Sequence, residues 1–146
     1  MTQPQRPYSR HESRAIAFQI LYQYDLTHDP EAPASSLDHE LETYFKHFKV
    51  SDAHREFVSF LVHGVLDRRE TLDSTLQPYS PKWKITRLSN VDRTLLRLGS
   101  FELLHGEERA PQVIINEAVE LAKTYGSTES PAFVNAVLDA LSKKLP

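Results

Sequence analysis

The sequence has no cysteine, which excludes disulfide bonds, thiolate metal sites and a cysteine nucleophile. Only four of its 146 residues are glycine, so little chain is available for the glycine-rich loops that cradle phosphates. No apolar run is long enough to cross a bilayer, and the N-terminal segment MTQPQRPYSRHES lacks the apolar region of a signal peptide. We therefore expect a soluble, cytoplasmic protein that makes no membrane contact.

An excess of positive charge is also missing. The net charge is −3 at pH 7, so a nucleic-acid site on this protein has to be a local patch on a mildly acidic background. A chain of this length suits one domain, and such a domain buries roughly 68–70% of the surface that its unfolded chain exposes. We take residues 1–146 as a single domain.

The pattern of apolar residues predicts an all-α fold of about seven helices. Apolar residues recur every three or four positions in seven segments, separated by breaks rich in proline, glycine and serine. The predicted helices begin near Arg10, Ser36, Asp52, Pro81, Asn90, Pro111 and Pro131. The β-branched run Val113-Ile114-Ile115 could form a strand, but no other segment could pair with it.

Two breaks organise these segments. The loop His28–Ser36 separates the first two helices, and the third predicted helix runs from Asp52 without interruption until Pro78 ends it. Ser80 and Pro81 then predict the start of a short helix that carries Trp83. The chain is thereby divided into a mobile basic arm at 1–9, an N-terminal helical subdomain at 10–78 and a C-terminal one at 79–146.

The helix predicted at 90–105 is expected to be central. Apolar residues cover nearly all of its circumference, and only Arg93, Arg97 and Ser100 form a narrow polar stripe. Glu102 falls on the apolar side, where a carboxylate is costly without a partner, so we expect a satisfied structural acid. Gly64 lies inside a predicted helix, which suggests close approach of another helix.

No pattern of catalytic or metal-binding residues stands out. The chain has no P-loop, dinucleotide-binding, serine hydrolase or zinc protease motif. His39, His47, His54 and His63 lack the spacing that places two imidazoles on one helical face, so we expect solvated surface side chains. We predict that the protein is not an enzyme and has no catalytic residue, metal site or cofactor.

The start of the chain carries a local basic cluster. Arg6, Arg10, His11 and Arg14 meet a single acid, Glu12, and Arg10 and Arg14 lie one helical turn apart. Tyr8, Tyr22 and Tyr24 follow nearby, and cations next to aromatic rings are what single-stranded RNA binds through phosphate contacts and base stacking. The alternative is a tail that is basic without any function.

Three segments together resemble the family of the transcription antitermination factor NusB. They are Arg14-Ala15 to Leu21-Tyr22-Gln23, then the stretch from Val91-Asp92-Arg93 to Phe101-Glu102-Leu103, and INEAVELAK at 115–123 followed by FVN at 133–135. The resemblance implies two packed helical subdomains. It also implies binding to the boxA element of nascent ribosomal RNA, jointly with the small-subunit ribosomal protein that acts as NusE, within an antitermination complex on RNA polymerase.

The resemblance also implies positions for the site. The arginine-rich start of the family's first helix falls on Arg10, His11 and Arg14, its first-helix tyrosine falls on Tyr22, and Tyr79, Asp92, Glu129 and Phe133 match residues of the RNA or partner surface. We therefore assign RNA contacts to Arg6, Arg10, His11, Arg14, Tyr22, Tyr79, Glu129 and Phe133, and partner contacts to Tyr22 and Asp92.

The chain departs from the family pattern at two places. Ala136 follows FVN where the family often has glycine, which implies only slightly different helix packing. Glu12 stands among the bases of the basic cluster, and this thinner cluster keeps a second hypothesis open. The alternative function is a helical protein–protein adaptor, or a homodimer of the same fold when free, without sequence-specific RNA binding.

Overall fold

The computed structural model describes residues 10–28 and 37–146, which form seven α-helices and no strand. The helices are α1 (Arg10–Thr27), α2 (Leu37–His47), α3 (Asp52–Asp67), α4 (Arg69–Leu76), α5 (Asn90–His105), α6 (Pro111–Tyr125) and α7 (Ser130–Ser142). Two short 3-10 turns lie at Gln77–Tyr79 and Ile85–Arg87. The predicted all-α fold is confirmed, whereas Arg6, the mobile arm and most of the predicted 28–36 loop lie outside the described residues.

The predicted central helix is also confirmed. Ser89 caps α5, and its hydroxyl oxygen accepts a hydrogen bond from the backbone N–H of Asp92 at 3.2 Å. Helix α5 packs against α1, α3, α4, α6 and α7, and Leu95, Leu96 and Phe101 are almost completely buried. One hydrophobic core therefore runs through both halves of the chain. The division into subdomains at 10–78 and 79–146 stays a prediction.

The polar stripe of α5 is satisfied by acids from two other helices. Arg97 forms a two-pronged ion pair with Asp73 of α4, with both nitrogen–oxygen distances at 2.8 Å. Arg93 binds Asp25 near the end of α1 and donates to the carbonyl oxygen of Leu88 at 2.8 Å. These pairs fasten α1 and α4 to the central helix.

The prediction of one long helix from Asp52 to Pro78 is wrong. Helix α3 ends at Asp67, and Arg68 leaves the helical conformation with φ −124° and ψ 18° before α4 begins. A straight helix of that length would extend for roughly 40 Å at 1.5 Å per residue. The bend at Arg68 instead brings α4 back against α5, where Asp73 reaches Arg97.

The short helix predicted at Ser80 and Pro81 does not form either. The Ser80 hydroxyl donates to the carbonyl oxygen of Trp83 at 2.8 Å instead of capping a helix. The Gln77 side chain also takes up backbone groups in this stretch, accepting from the N–H of Ile85 at 3.0 Å and donating to the Trp83 carbonyl at 3.1 Å. A turn stabilised by side chains replaces the helix.

None of the helices within residues 10–28 and 37–146 is both long and apolar enough to cross a membrane.

Close approach of α3 and α5 accounts for Gly64, as the sequence led us to expect. A Cβ atom at this position would lie 2.0 Å from Cζ of Phe101, which is itself 1% exposed. The glycine lets the aromatic ring fill the space that another side chain would occupy.

We expect Gly64→Ala to lower the free energy of unfolding, measured by urea denaturation. Overpacking a core costs about 1–3 kcal/mol, which outweighs the gain of about 1 kcal/mol in helix propensity. In a Phe101→Leu background, where the ring is gone, the same change should be neutral or stabilising. A stabilising Gly64→Ala in the native background would show that Phe101 is not what excludes the Cβ atom.

Candidate nucleic-acid interface

A buried ion pair joins α1 to the central helix. Arg14 donates from Nε to Oε2 of Glu102 at 2.8 Å and from Nη2 to Oε1 at 2.9 Å, and the two side chains are 4% and 3% exposed. Burial alone lowers the pKa of Arg14, but the hydrogen bonds and charge of Glu102 outweigh it, so the pKa is raised. Glu102 is therefore the satisfied structural acid that the sequence predicted.

This pairing corrects the assignment of Arg14 to RNA. Its guanidinium is enclosed beneath α1 and bonded to both oxygens of Glu102, so no phosphate can reach it without displacing that carboxylate. Arg10 and Arg14 do lie one turn apart, as predicted, but Arg14 is on the side of α1 that faces the core. Arg14 belongs to the framework of the fold.

Arg10 and His11 remain at the surface, where acids from distant parts of the chain pair with them. Arg10 lies 3.3 Å from a carboxylate oxygen of Glu107 and stacks over the Phe57 ring at 4.2 Å. His11 Nδ1 is hydrogen-bonded to Glu117 of α6. We call Arg10, His11, Glu107 and Glu117 the basic end. Each of its two basic side chains is paired with an acid that is distant in sequence.

The next turn of the chain holds a second network. The Ser13 hydroxyl is 2.6 Å from Nδ1 of His54, and Nε2 of the same ring is 3.3 Å from Glu12. His54 is 8% exposed, so the expectation of a solvated surface histidine is wrong for this residue. Ser13 is fully buried, which is why we read these contacts as a link between α1 and α3 and not as a catalytic triad.

The other end of α1 borders an aromatic cleft of about 470 Å³. Its lining residues are Phe18, Gln19, Tyr22, Gln23, Leu26, Phe48, Val91 and Tyr125. The Phe18 ring lies 4.9 Å from that of Tyr125 and 5.9 Å from that of Tyr22, measured between centroids. Leu26 and Tyr125 are 64% and 41% exposed at the rim. We call this feature the cleft.

Sequence reasoning identified Tyr22 but missed the rest of the cleft. Tyr125 comes from α6 and Phe48 from the end of the α2 segment, and each resembles an ordinary core residue in its own helix. The Gln19 side chain donates to the Tyr125 hydroxyl at 2.6 Å and so holds the two helices together beside the cleft. Only tertiary packing brings these side chains, from α1, α5, α6 and the α2 segment, to one place.

The start of α5, which carries the predicted partner residue Asp92, lies close to Tyr22. Asn90 donates from Nδ2 to the carbonyl oxygen of Tyr22 at 3.3 Å, and Val91 lines the cleft. Asp92 follows in the first turn of α5, and its Oδ1 atom is buried without a hydrogen-bond partner among the described residues. Because this oxygen is enclosed, it gives no support for contact with another molecule, and the partner contact of Asp92 stays a prediction.

The remaining predicted residues flank α7. Glu129 is exposed just before this helix and accepts from the Ser127 hydroxyl at 3.3 Å, while Phe133 is half-buried in its first turn. Tyr79 is half-buried in the 3-10 turn that packs against α7. Because α6 ends at Tyr125 and α7 begins at Ser130, Glu129 follows closely after the helix end that forms one wall of the cleft.

The predicted residues at the surface of α1 thus fall into two regions and not one, apart from those that flank α7. Helices α1 and α5 are antiparallel, since Arg14 pairs with Glu102 near the end of α5 whereas Tyr22 meets Asn90 at its start. Arg10 and Tyr22 are twelve positions apart, which corresponds to roughly 18 Å along α1. The basic end and the cleft therefore lie at opposite ends of the face that α1 presents beside α6.

These features define the class of protein. Within the described residues, no group of three or more histidine and acidic side chains could hold a metal ion. What α1, α5 and α6 present instead is an aromatic cleft and a short run of surface bases. This is the arrangement of an all-helical protein that binds other macromolecules.

Comparisons with known proteins identify the family. The model of the NusB family matches residues 11–143. Transcription antitermination protein NusB of Desulfosudis oleivorans is 40% identical over 137 residues, which cover 94% of this chain and 87% of that protein. The chain belongs to the NusB family, as the INEAVELAK and FVN segments predicted, and members of this family are antitermination factors and not enzymes.

Solved structures agree with this assignment. T. maritima NusB superimposes with a TM-score of 0.78 at 30% identity, covering 95% of this chain and 94% of that one. NusB in a crystal structure of antitermination factors NusB and NusE with dsRNA gives the same TM-score at 28% identity, covering 93% and 97%.

We expect Glu102→Gln to lower the free energy of unfolding by about 3–5 kcal/mol, because it leaves the buried Arg14 charge without a counter-ion. The matched control is Glu120→Gln, which removes an exposed pair with Lys123 and should change stability by less than about 1 kcal/mol. Urea denaturation of both variants checks this. Equal, small effects would mean that the Arg14–Glu102 pair does not hold α1 in place.

Proposed function

We propose that this protein is a transcription antitermination factor that binds a boxA-type element of nascent ribosomal RNA. It binds together with the small-subunit ribosomal protein that acts as NusE, and the resulting complex joins RNA polymerase during transcription in the bacterial cytoplasm. The observation that carries the proposal is membership of the NusB family over almost the whole chain. Support comes from a similar NusB whose structure was determined with NusE and RNA.

The cleft is the part of the surface best suited to bases. An aromatic wall formed by Tyr22 and Tyr125 offers π-faces on which unpaired bases of any identity can stack. Phe133 offers a further half-exposed ring on α7. In this proposal Tyr22 contacts both the RNA and the partner protein, and Asp92 contacts the partner protein. Tyr79 and Glu129 lie at the RNA surface.

The basic end supplies phosphate contacts through Arg10 and His11, with Arg6 preceding them in sequence. An RNA phosphate has to replace Glu107 at Arg10 and Glu117 at His11, so each contact yields less free energy than an unpaired cation would provide. The protein alone is therefore expected to bind RNA weakly. A basic ribosomal protein would add the missing positive surface and suit the net charge of −3.

The test is a salt titration of binding to a short boxA-type single-stranded RNA, with and without the ribosomal protein, against a scrambled RNA of the same length. Tighter binding to boxA that strengthens when the partner is added supports the proposal. Equal, weak binding to both RNAs in both settings contradicts it.

We expect Tyr22→Leu to weaken boxA binding in the partner complex by at least about fivefold, because the loss of stacking on one base costs about 1–3 kcal/mol. Tyr22→Phe keeps the ring and should stay within about twofold of the native protein. Fluorescence anisotropy of labelled RNA measures both, and a circular dichroism melt verifies folding. Similar losses in the two variants would show that the hydroxyl matters and the ring does not stack.

We expect Arg10→Gln to flatten the slope of log affinity against log salt by about 0.7, the value for one phosphate contact on a single strand. Glu107→Gln should act in the opposite direction and raise affinity by up to about fivefold, since it frees Arg10 from an exposed ion pair. Lys144→Gln, an exposed cation at the end of the chain, is the control. Identical slopes for Arg10→Gln and Lys144→Gln would exclude Arg10 from the RNA surface.

A second candidate function is a helical adaptor or homodimer without sequence-specific RNA binding. The observation that favours it is the exposed apolar rim of the cleft, where Leu26 is 64% exposed while the bases of the basic end are already paired. Sedimentation of the free protein distinguishes the two candidates. A dimer that Leu26→Lys dissociates, with no preference for boxA, would replace the first proposal by the second.

A further inference from the structure

The loop between the 3-10 turn at Gln77–Tyr79 and α5 presents an aromatic ring and three cations to solvent. Trp83 is 62% exposed, and Lys82, Lys84 and Arg87 around it are exposed as well. We call these four residues the tryptophan loop. Neither the family pattern nor the two regions described above assigned them a role.

The charges of this loop are uncompensated. Lys82, Lys84 and Arg87 form no ion pair with any residue in the described part of the chain, in contrast to Arg10 and His11. Between Asp73 and Asp92 the sequence contains no acidic residue at all. The loop is therefore a local positive patch on a protein whose net charge is negative.

The backbone that carries Trp83 is held rigidly. Its carbonyl oxygen accepts hydrogen bonds from Gln77 Nε2 at 3.1 Å and from the Ser80 hydroxyl at 2.8 Å. Ile85, two residues further on, is 1% exposed and anchors the loop in the core, while its N–H donates to Gln77. The exposed indole is thus presented on a pre-organised backbone, which lowers the entropic cost of binding.

The loop is also continuous in sequence with one wall of the cleft. It leads through the Ser89 cap directly into α5, whose first residue, Asn90, bonds to the Tyr22 backbone, and whose second, Val91, lines the cleft. A strand of RNA that leaves the cleft beside Val91 and follows the chain back through Ser89 would reach the tryptophan loop. An aromatic ring flanked by unpaired cations is the combination with which proteins hold single-stranded nucleic acid without reading its sequence.

We propose that the tryptophan loop binds single-stranded RNA next to the boxA element, with Trp83 stacking on a base and Lys82, Lys84 and Arg87 contacting phosphates. This inference rests on the proposed function and extends it to the nucleotides that flank the recognised element. The contact is insensitive to sequence, because every base has a stacking face and every nucleotide carries a phosphate.

Trp83 is the only tryptophan of the chain, so its fluorescence reports on this site directly. The full chain in complex with the ribosomal protein is titrated with boxA-type RNA, either alone or extended by flanking nucleotides of arbitrary sequence, and the Trp83→Leu complex supplies the background. We expect saturable quenching that is larger with the extended RNA. We also expect Trp83→Leu to weaken binding of the extended RNA by at least about fivefold and Trp83→Phe to preserve most of it.

The cations have a separate readout. Lys84→Gln should flatten the salt slope for the extended RNA by about 0.7 and leave that for the short RNA unchanged, whereas the Lys144→Gln control should change neither. Because all of these side chains are exposed, the variants are expected to fold normally, which circular dichroism verifies.

The outcomes separate this inference from the proposed function. If boxA binding is intact but the extended RNA neither quenches Trp83 nor distinguishes the variants, the inference fails and the function stands. If neither RNA binds, the function itself fails. Quenching by anionic lipid vesicles without any by RNA, or a Trp83→Leu variant that loses only the ribosomal protein, would also overturn the inference, since the loop would then serve a membrane or a protein.

Discussion

The orientation of α1 depends on one buried interaction, the two-pronged pair between Arg14 and Glu102. A guanidinium and a carboxylate enclosed together are tolerated only when each satisfies the other, so α1 cannot slide or rotate on α5 without exposing an unpaired charge to the core. This constraint places His11 against α6 at one end of the helix and Tyr22 beside Asn90 at the other. The positions of both the basic end and the cleft follow from it.

The pair between Arg14 and Glu102 also shows how far the location of a charged side chain, at the surface or in the core, can be predicted from sequence. Helical periodicity correctly predicted that Arg10 and Arg14 lie one turn apart on α1 and that Glu102 needs a partner. It could not tell which side faces the core, because that depends on a carboxylate 88 residues further along the chain. The sequence did show an acid that needs a partner, Glu102, and an arginine, Arg14, in a helix with many apolar residues. Only the packing of α1 on α5 shows that they pair and removes Arg14 from the RNA contacts.

The fold was predictable where apolar residues cover a helix on nearly all sides. It was less predictable where packing between helices determines whether a helix forms and where it bends. Helix α5 satisfied the first condition, and its bounds agree with those predicted. No proline or glycine lies at the bend at Arg68, and Val65 and Leu72, seven residues apart, still fit one face of a single helix although residues 67–71 contain no apolar side chain. At Ser80 the local signal was present, but the side chain of Gln77 competed successfully for the backbone groups of Trp83 and Ile85.

The cations of this protein differ in what an approaching RNA must displace. At the basic end, a phosphate exchanges one anionic partner for another, so the net gain is small and depends on how far Glu107 and Glu117 can move away. At the tryptophan loop no carboxylate of residues 10–28 or 37–146 forms an ion pair with the cations, and long-range attraction acts without a prior rearrangement. A strand would therefore engage Trp83 and its neighbouring lysines first and then extend through the cleft. Arg10 and His11, which are paired with acids, would contact the RNA last. By then the partner protein and the stacked nucleobases already hold the RNA in place.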